Sequence, residues 1–173
     1  MSQLSSLSFT SSIDSSLLVR DVAGSYRPAE PAEVLQAALR VLAGQLRGTV
    51  MLSSPQAVRD FLRIKLGALE HEVFAVIHLD AQHRVIEYVE MFRGTVTQTS
   101  VYPREVVKEA MTHNTAAIIL VHNHPSGRLT PSEADIRLTR TLQDTARVLD
   151  ILVHDHIIVG GNRYFSFREE GLI

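Results

Sequence analysis

The sequence contains no cysteine and no tryptophan, only 6% of its residues are aromatic, and no stretch approaches the roughly 18 to 20 apolar residues a membrane span requires. Each absence removes a class of chemistry. Without thiols there is no disulfide, no cysteine nucleophile and no thiolate zinc site, so any metal has to be held by histidine and carboxylate. A zinc nucleoside deaminase, which needs a Pro-Cys-x-x-Cys element, is excluded on the same ground. Surplus positive charge is missing too: 17 Lys+Arg against 19 Asp+Glu leave a formal net charge of −2, so charge does not support a nucleic-acid partner. The opening residues MSQLSSLSFTSSIDSSLLVR lack a basic leader followed by an apolar core. A soluble cytoplasmic protein without membrane attachment is the expectation.

What is present suffices for one domain and an extension, since 173 residues at 45% hydrophobic content can bury a proper core. Residues 1–30 are serine-rich and sparsely apolar, which predicts a flexible arm. Residues 31–50 form an N-terminal helical extension, because Leu35, Ala38, Leu39, Leu42 and Leu46 recur on one helical face up to Gly48. A second helix follows through Val58, Phe61, Leu62, Leu66 and Leu69, with Ser54 as its cap and Pro55 in its first turn. The period then changes. EVFAVIHLD (72–80) is a buried strand, RVIEYVEMF (84–92) its hairpin partner, and RGTVTQTSV a further extended piece. PREVVKEAMTHN starts a third helix at Pro103, and AAIILV (116–121), wholly apolar, predicts a central strand covered on both faces. A fourth helix spans Ser132 to about Leu149, and two strands joined at Gly-Gly-Asn close the chain. These elements define an α/β (α+β) fold, a twisted mixed sheet flanked by helices.

The central strand runs directly into HNHPSGRLTPSEAD, residues 122–135. His122 and His124 lie two apart, so both imidazoles project to one side if the backbone stays extended, as Pro125 encourages. An isolated H-x-H is as well explained by a solvated loop. Asp135 shares the apolar helical face of Leu138, Leu142, Ala146 and Leu149, whereas Glu133 heads the face of Arg137, Arg140, Asp144 and Arg147. A carboxylate on the apolar side needs a cation, a metal or a donor cluster. Ser132-x-x-Asp135 also has the spacing of a capping box. The joint pattern H-x-H-x(7)-S-x(2)-D arises in roughly one shuffled chain of this composition in 700, a low false-positive risk that weighs toward function. Two imidazoles and one carboxylate suit Zn²⁺ with a fourth position open, the arrangement of a hydrolytic site.

The same residues carry a resemblance. HNHPSGRLTPSEAD resembles the JAMM motif of the JAB1/MPN metalloprotease superfamily, and MFRGTVTQTSVYPREVVKEAMTHNTAAIILVHNHPSG and DHIIVGGNRYFSFREEGLI are similar to its RadC-like bacterial branch. The resemblance covers residues 51–173 and implies a JAB/MPN-like fold, one zinc ion held by His122, His124 and Asp135, and a metallopeptidase acting on an amide or isopeptide bond of a peptide or protein. It further implies Glu72 as acid/base, with Glu70 and Glu90 as alternatives, and Ser132 as donor to the oxyanion. Asn123 stands where eukaryotic members have Ser or Thr. Full-length members of the branch are similar to carriers of a helix-hairpin-helix segment, which residues 1–30 do not show. A DNA-repair accessory or binding protein and a non-catalytic metal-stabilised scaffold are the alternatives. The cations Arg59, Arg63 and Lys65, set beside Asp60, read as a solvated helix face. A second H-x-H, His154 and His156, reads as packing or as support for the metal ligands. His71, His78, His83 and His113 carry no recognisable partner in sequence.

Overall fold

Local pairing begins at the first residues that the computed structural model describes; it covers residues 17–48, 50, 55–94 and 101–173. Leu18–Arg20 (β1) and Tyr26–Pro28 (β2) form an antiparallel hairpin with Leu18 opposite Pro28. Its turn is closed by Asp21, whose Oδ1 accepts the backbone N–H groups of Ala23 and Ser25, both at 2.9 Å. This is the use of Asp expected in tight turns. The described part of the serine-rich segment therefore contains paired backbone. Helix Pro31–Leu46 (α1) follows, and Arg27 grips Glu33 in its first turn with two hydrogen bonds of 2.8 and 2.7 Å. By its contacts the chain divides into two units, Met1–Ala38 and Leu39–Ile173, and α1 runs across the division.

The larger unit holds helix Pro55–Leu66 (α2), strands Val73–Leu79 (β3) and Val85–Arg93 (β4), helix Pro103–Thr112 (α3), strand Ala117–Asn123 (β5), helix Glu133–Arg147 (α4) and strands Leu152–Gly160 (β6) and Arg163–Ser166 (β7). The sheet order is β4-β3-β5-β6-β7. Every neighbouring pair is antiparallel except β5 and β6, which run parallel and are joined through α4. Parallel pairing demands such a crossover. This is the mixed, helix-flanked sheet that the sequence pattern predicts. Ser54 and residues 95–100 of the extended piece lie outside the described residues. Two ends differ: α2 stops at Leu66, with Leu69 packed on the core beyond it, and α4 stops at Arg147, which leaves Leu149 exposed.

Both central strands are buried at all seven positions, because their alternating side chains serve two cores. Ala75, Ile77 and Leu79 of β3 join Ala117, Ile119 and Val121 of β5 on the side of Val58, Phe61, Leu62 and Leu66 from α2. Phe74 and Val76 join Ile118 and Leu120 on the side of Val106 and Ala110 from α3 and Leu142 and Ala146 from α4. The result is a helix–sheet–helix sandwich. At roughly 1.5 to 3 kcal/mol per fully buried large apolar side chain, these two layers dominate the stabilisation. The alternation also sorts polar residues: His122 shares the face of Ile118 and Leu120, and Asn123 the opposite one. The cations of α2 are each paired with a carboxylate, Arg59 with Glu169, Arg63 with Asp60 at 3.5 Å and Lys65 with Glu90 at 2.9 Å.

Of the four histidines without a recognisable partner in sequence, His78, His83 and His113 acquire one here, whereas the buried His71 Nε2 has no hydrogen-bond partner among the described residues. His113 Nε2 meets Glu109 at 3.1 Å, and His83 Nδ1 meets His154 Nε2 at 2.6 Å. His78 is fully buried, bonds Thr115 Oγ1 at 3.0 Å through Nδ1 and stacks on His113. Burial, reinforced by His113, pushes His78 down to about 4. Because the unfolded histidine titrates near 6.5, the unfolded chain binds more protons between pH 6.5 and 4. His78 therefore contributes stability that is fully present above pH 6.5 and is lost as pH falls toward 4. Melting temperatures measured across this window should fall on acidification, and His78→Leu should flatten the slope. An unchanged slope in that variant would contradict the assignment.

Candidate metal centre

The centre is built where β5 ends. Asn123 continues the strand, so His122 and His124 project to one side, and the chain turns immediately afterwards through a hydrogen bond from Gly127 N–H to the His124 carbonyl of 2.9 Å. Gly127 sits at φ +73, where a side chain is strained. The loop lies on β6: His124 N–H donates to Val159 O at 2.8 Å, and a Cβ on Gly160 would come within 2.8 Å of the Gly127 carbonyl. Backbone approach of that kind is available only to glycine.

Helix α4 supplies Asp135. The Ser132 hydroxyl accepts Asp135 N–H at 3.1 Å, and Asp135 Oδ2 accepts the Ser132 N–H at 2.7 Å and the Ser132 hydroxyl at 2.6 Å. The capping box that the spacing allows is formed, and the carboxylate serves the histidines as well. Its Oδ1 lies 3.3 Å from His122 Nε2 and its Oδ2 3.7 Å from His124 Nε2. The two Nε2 atoms are 2.9 Å apart. Glu72, directly before β3, completes the group: ligand atoms of Glu72, His122 and His124 all lie within 4.8 Å of one another. Of the alternative acids, Glu70 is exposed and Glu90 is held by Lys65 at 2.9 Å and Arg93 at 3.1 Å.

Position sets the charge states. Burial lowers His122 to about 4 despite the nearby Asp135. His124, more accessible, is raised by its hydrogen bond to Asp135 against the opposing effect of burial. Burial works to raise Asp135, but hydrogen bonding from His124, the charge of His122 and the two Ser132 bonds hold it below the usual carboxylate range. Depth, more than distance, separates the two histidines. Two imidazole nitrogens and the Glu72 carboxylate, with Asp135 beside both rings, form an oxygen- and nitrogen-donor set that could hold a divalent cation.

Three supporting residues escape sequence reasoning. Asn123, 1% exposed, accepts Val73 N–H at 2.8 Å through Oδ1 and donates to His71 O at 3.0 Å through Nδ2, so it clamps the residues on either side of Glu72. His124 Nδ1 meets the Arg128 carbonyl at 2.8 Å. Thr139 is buried one helical turn from Asp135, beside His156. Only the resemblance marks position 123, and no local signal marks the other two.

A mixed sheet between helix layers, with a histidine pair and two acids at the end of a central strand, defines an α/β domain with a candidate metal site. The chain belongs to the RadC-like JAB domain family, whose match spans residues 52–172. It is 53% identical over 150 residues to a UPF0758 protein of Leptothrix cholodnii, covering 87% of this chain and 68% of that one. It is 54% identical over 140 residues to a UPF0758 protein of Paracidovorax citrulli, covering 81% and 59%. A UPF0758 protein of Nitrosomonas eutropha is 52% identical over 140 residues, covering 81% and 62%. The matched segment thus spans about six to seven tenths of these relatives' own length. Among the described residues no helix is long and apolar enough to cross a membrane.

Proposed function

We propose that this domain is a zinc-dependent hydrolase of the metallopeptidase type, cleaving an amide or isopeptide bond in a peptide or protein. The observation that carries the reading is the convergence of Glu72, His122 and His124 within 4.8 Å, with the Asp135 carboxylate 3.3 and 3.7 Å from the two imidazoles. His122, His124 and Asp135 would hold the ion, the neutral imidazoles and carboxylate being donors that zinc accepts in sites with an open position. A zinc ion there supplies Lewis acidity and a water with a pKa of about 7.

The chain's own groups do the remaining work. Glu72 takes a proton from the attacking water and returns it to the leaving amine, a task that requires it within one water of the site. The Ser132 hydroxyl now points to Asp135 Oδ2, and by rotating it donates to the oxygen that gains charge on the attacked carbonyl. Pro125, Ser126 and Arg128, in the turn beside His124, are exposed to solvent. Dialysis of purified protein against Zn²⁺ should load one ion per chain, with uptake lost in His122→Ala and Asp135→Ala, and the loaded protein should cut members of a peptide library. A wild type that takes up no divalent ion, or variants that take up as much, would remove the reading.

A further inference from the structure

Behind His122, away from Glu72 and Asp135, runs a line of buried hydrogen bonds that the hydrolytic scheme does not use. His122 Nδ1 lies 2.8 Å from His156 Nε2, and His156 Nδ1 lies 2.6 Å from Thr139 Oγ1. Thr139 Oγ1 lies 2.6 Å from the backbone carbonyl of Asp135. All three side chains are at most 2% exposed, and the His156 ring is stacked on Phe167 at 4.6 Å. The line joins β5 to β6 to α4 and ends on the backbone of the residue whose carboxylate faces His122.

One chemical fact orders the whole line. A carbonyl oxygen can only accept, and two oxygens at 2.6 Å repel unless a proton lies between them, so the Thr139 hydroxyl donates to Asp135 O. Its single proton is then spent, and Thr139 Oγ1 must accept from His156 Nδ1–H. A neutral His156 bearing its proton on Nδ1 has a lone pair on Nε2, which must accept from His122 Nδ1–H. A neutral His122 bearing its proton there presents an Nε2 lone pair to Glu72, His124 and Asp135. Both rings are buried, which disfavours a charge on either.

We propose that Thr139 and His156 are positioning residues that set the tautomer of His122, so that its Nε2 is a ligand before any ion arrives. The inference rests on the metal-centre reading for its purpose but not for its geometry. His124 meets His122 at the other end, the two Nε2 atoms 2.9 Å apart, but its own Nδ1 proton is fixed independently by the Arg128 carbonyl, so it serves as an internal control. The acceptor of the line is the backbone of Asp135, so a shift of α4 would disturb the carboxylate and the tautomer of His122 together.

Nitrogen-15 NMR of the metal-free protein reads the tautomers directly. In the wild type His122 and His156 should both carry their protons on Nδ1. Thr139→Val keeps the shape but removes the hydroxyl; His122 should then populate both tautomers, with His124 unchanged, and Zn²⁺ affinity should fall about 10- to 100-fold. Thr139→Ser should restore both properties. Finding His122 protonated on Nε2 in the metal-free wild type would overturn the proposal, as would a Thr139→Val protein with a single His122 tautomer and undiminished zinc affinity. The tautomer measurement decides the line even in a protein that takes up no zinc, so its failure is distinguishable from failure of the hydrolase reading.

Discussion

Glu72→Gln is expected to lower hydrolysis by about 10²- to 10⁴-fold, the usual contribution of a positioned general base, while the protein keeps its zinc. The substitution preserves the volume and one oxygen acceptor but removes the capacity to carry a proton. Glu72 is suited to the test because its surroundings are defined: its backbone carbonyl accepts Gly94 N–H at 2.9 Å, and its neighbours on both sides are held by Asn123. Loss should therefore appear in kcat, with metal content unchanged. Full activity in the variant would show that another group moves the proton. Loss of zinc together with activity would instead make Glu72 a ligand, a role its closeness to both imidazoles permits. A zinc-loaded wild type that cuts nothing in a broad peptide library would favour a metal-stabilised scaffold.

The second large effect is expected at Asn123→Leu. The leucine matches the volume and leaves two backbone groups, the buried Val73 N–H and the half-buried His71 C=O, without their partner. Each unsatisfied group costs about 1 to 3 kcal/mol, so the pair costs about 2 to 6 kcal/mol. For a chain of this size that should lower the melting temperature by on the order of 10 °C. Hydrolysis should fall as well, because residues 71 and 73 bracket Glu72 and Asn123 ties both of them to the end of β5. Thermal unfolding and a kinetic assay on the folded variant at reduced temperature separate the two losses. A melting temperature within a degree or two of wild type would show that water or backbone shifts satisfy the exposed groups, and would remove Asn123 as the clamp.

Most of the architecture is legible residue by residue. The all-apolar AAIILV run could only be a strand covered twice, and two packed helix layers cover it. Leu35 to Leu46 and Val58 to Leu66 show helical spacing and lie in α1 and α2. Helix ends were less legible, as Leu69 and Leu149 show, because a periodic pattern continues past the residue where backbone bonding stops. The hairpin at 18–28 was hidden by serine-rich composition, although Asp21 and Gly24 form its turn.

By itself, the order of residues determined which side chains could act: with no thiol in the chain, HNHPSG before a capped helix offers imidazoles and a carboxylate at a spacing that chance seldom produces. It could not decide which acid joins them, since about 50 residues separate Glu72 from His122 and only antiparallel pairing of β3 with β5, Phe74 opposite His122, brings the two together. The supporting or packing role read for His156 could not name its partners, His122 and Thr139, because their meeting depends on β6 lying parallel to β5 beneath α4. Local spacing is written along one chain segment. Contacts between segments follow from how two faces of a sheet are buried, and that is decided only when the whole core packs.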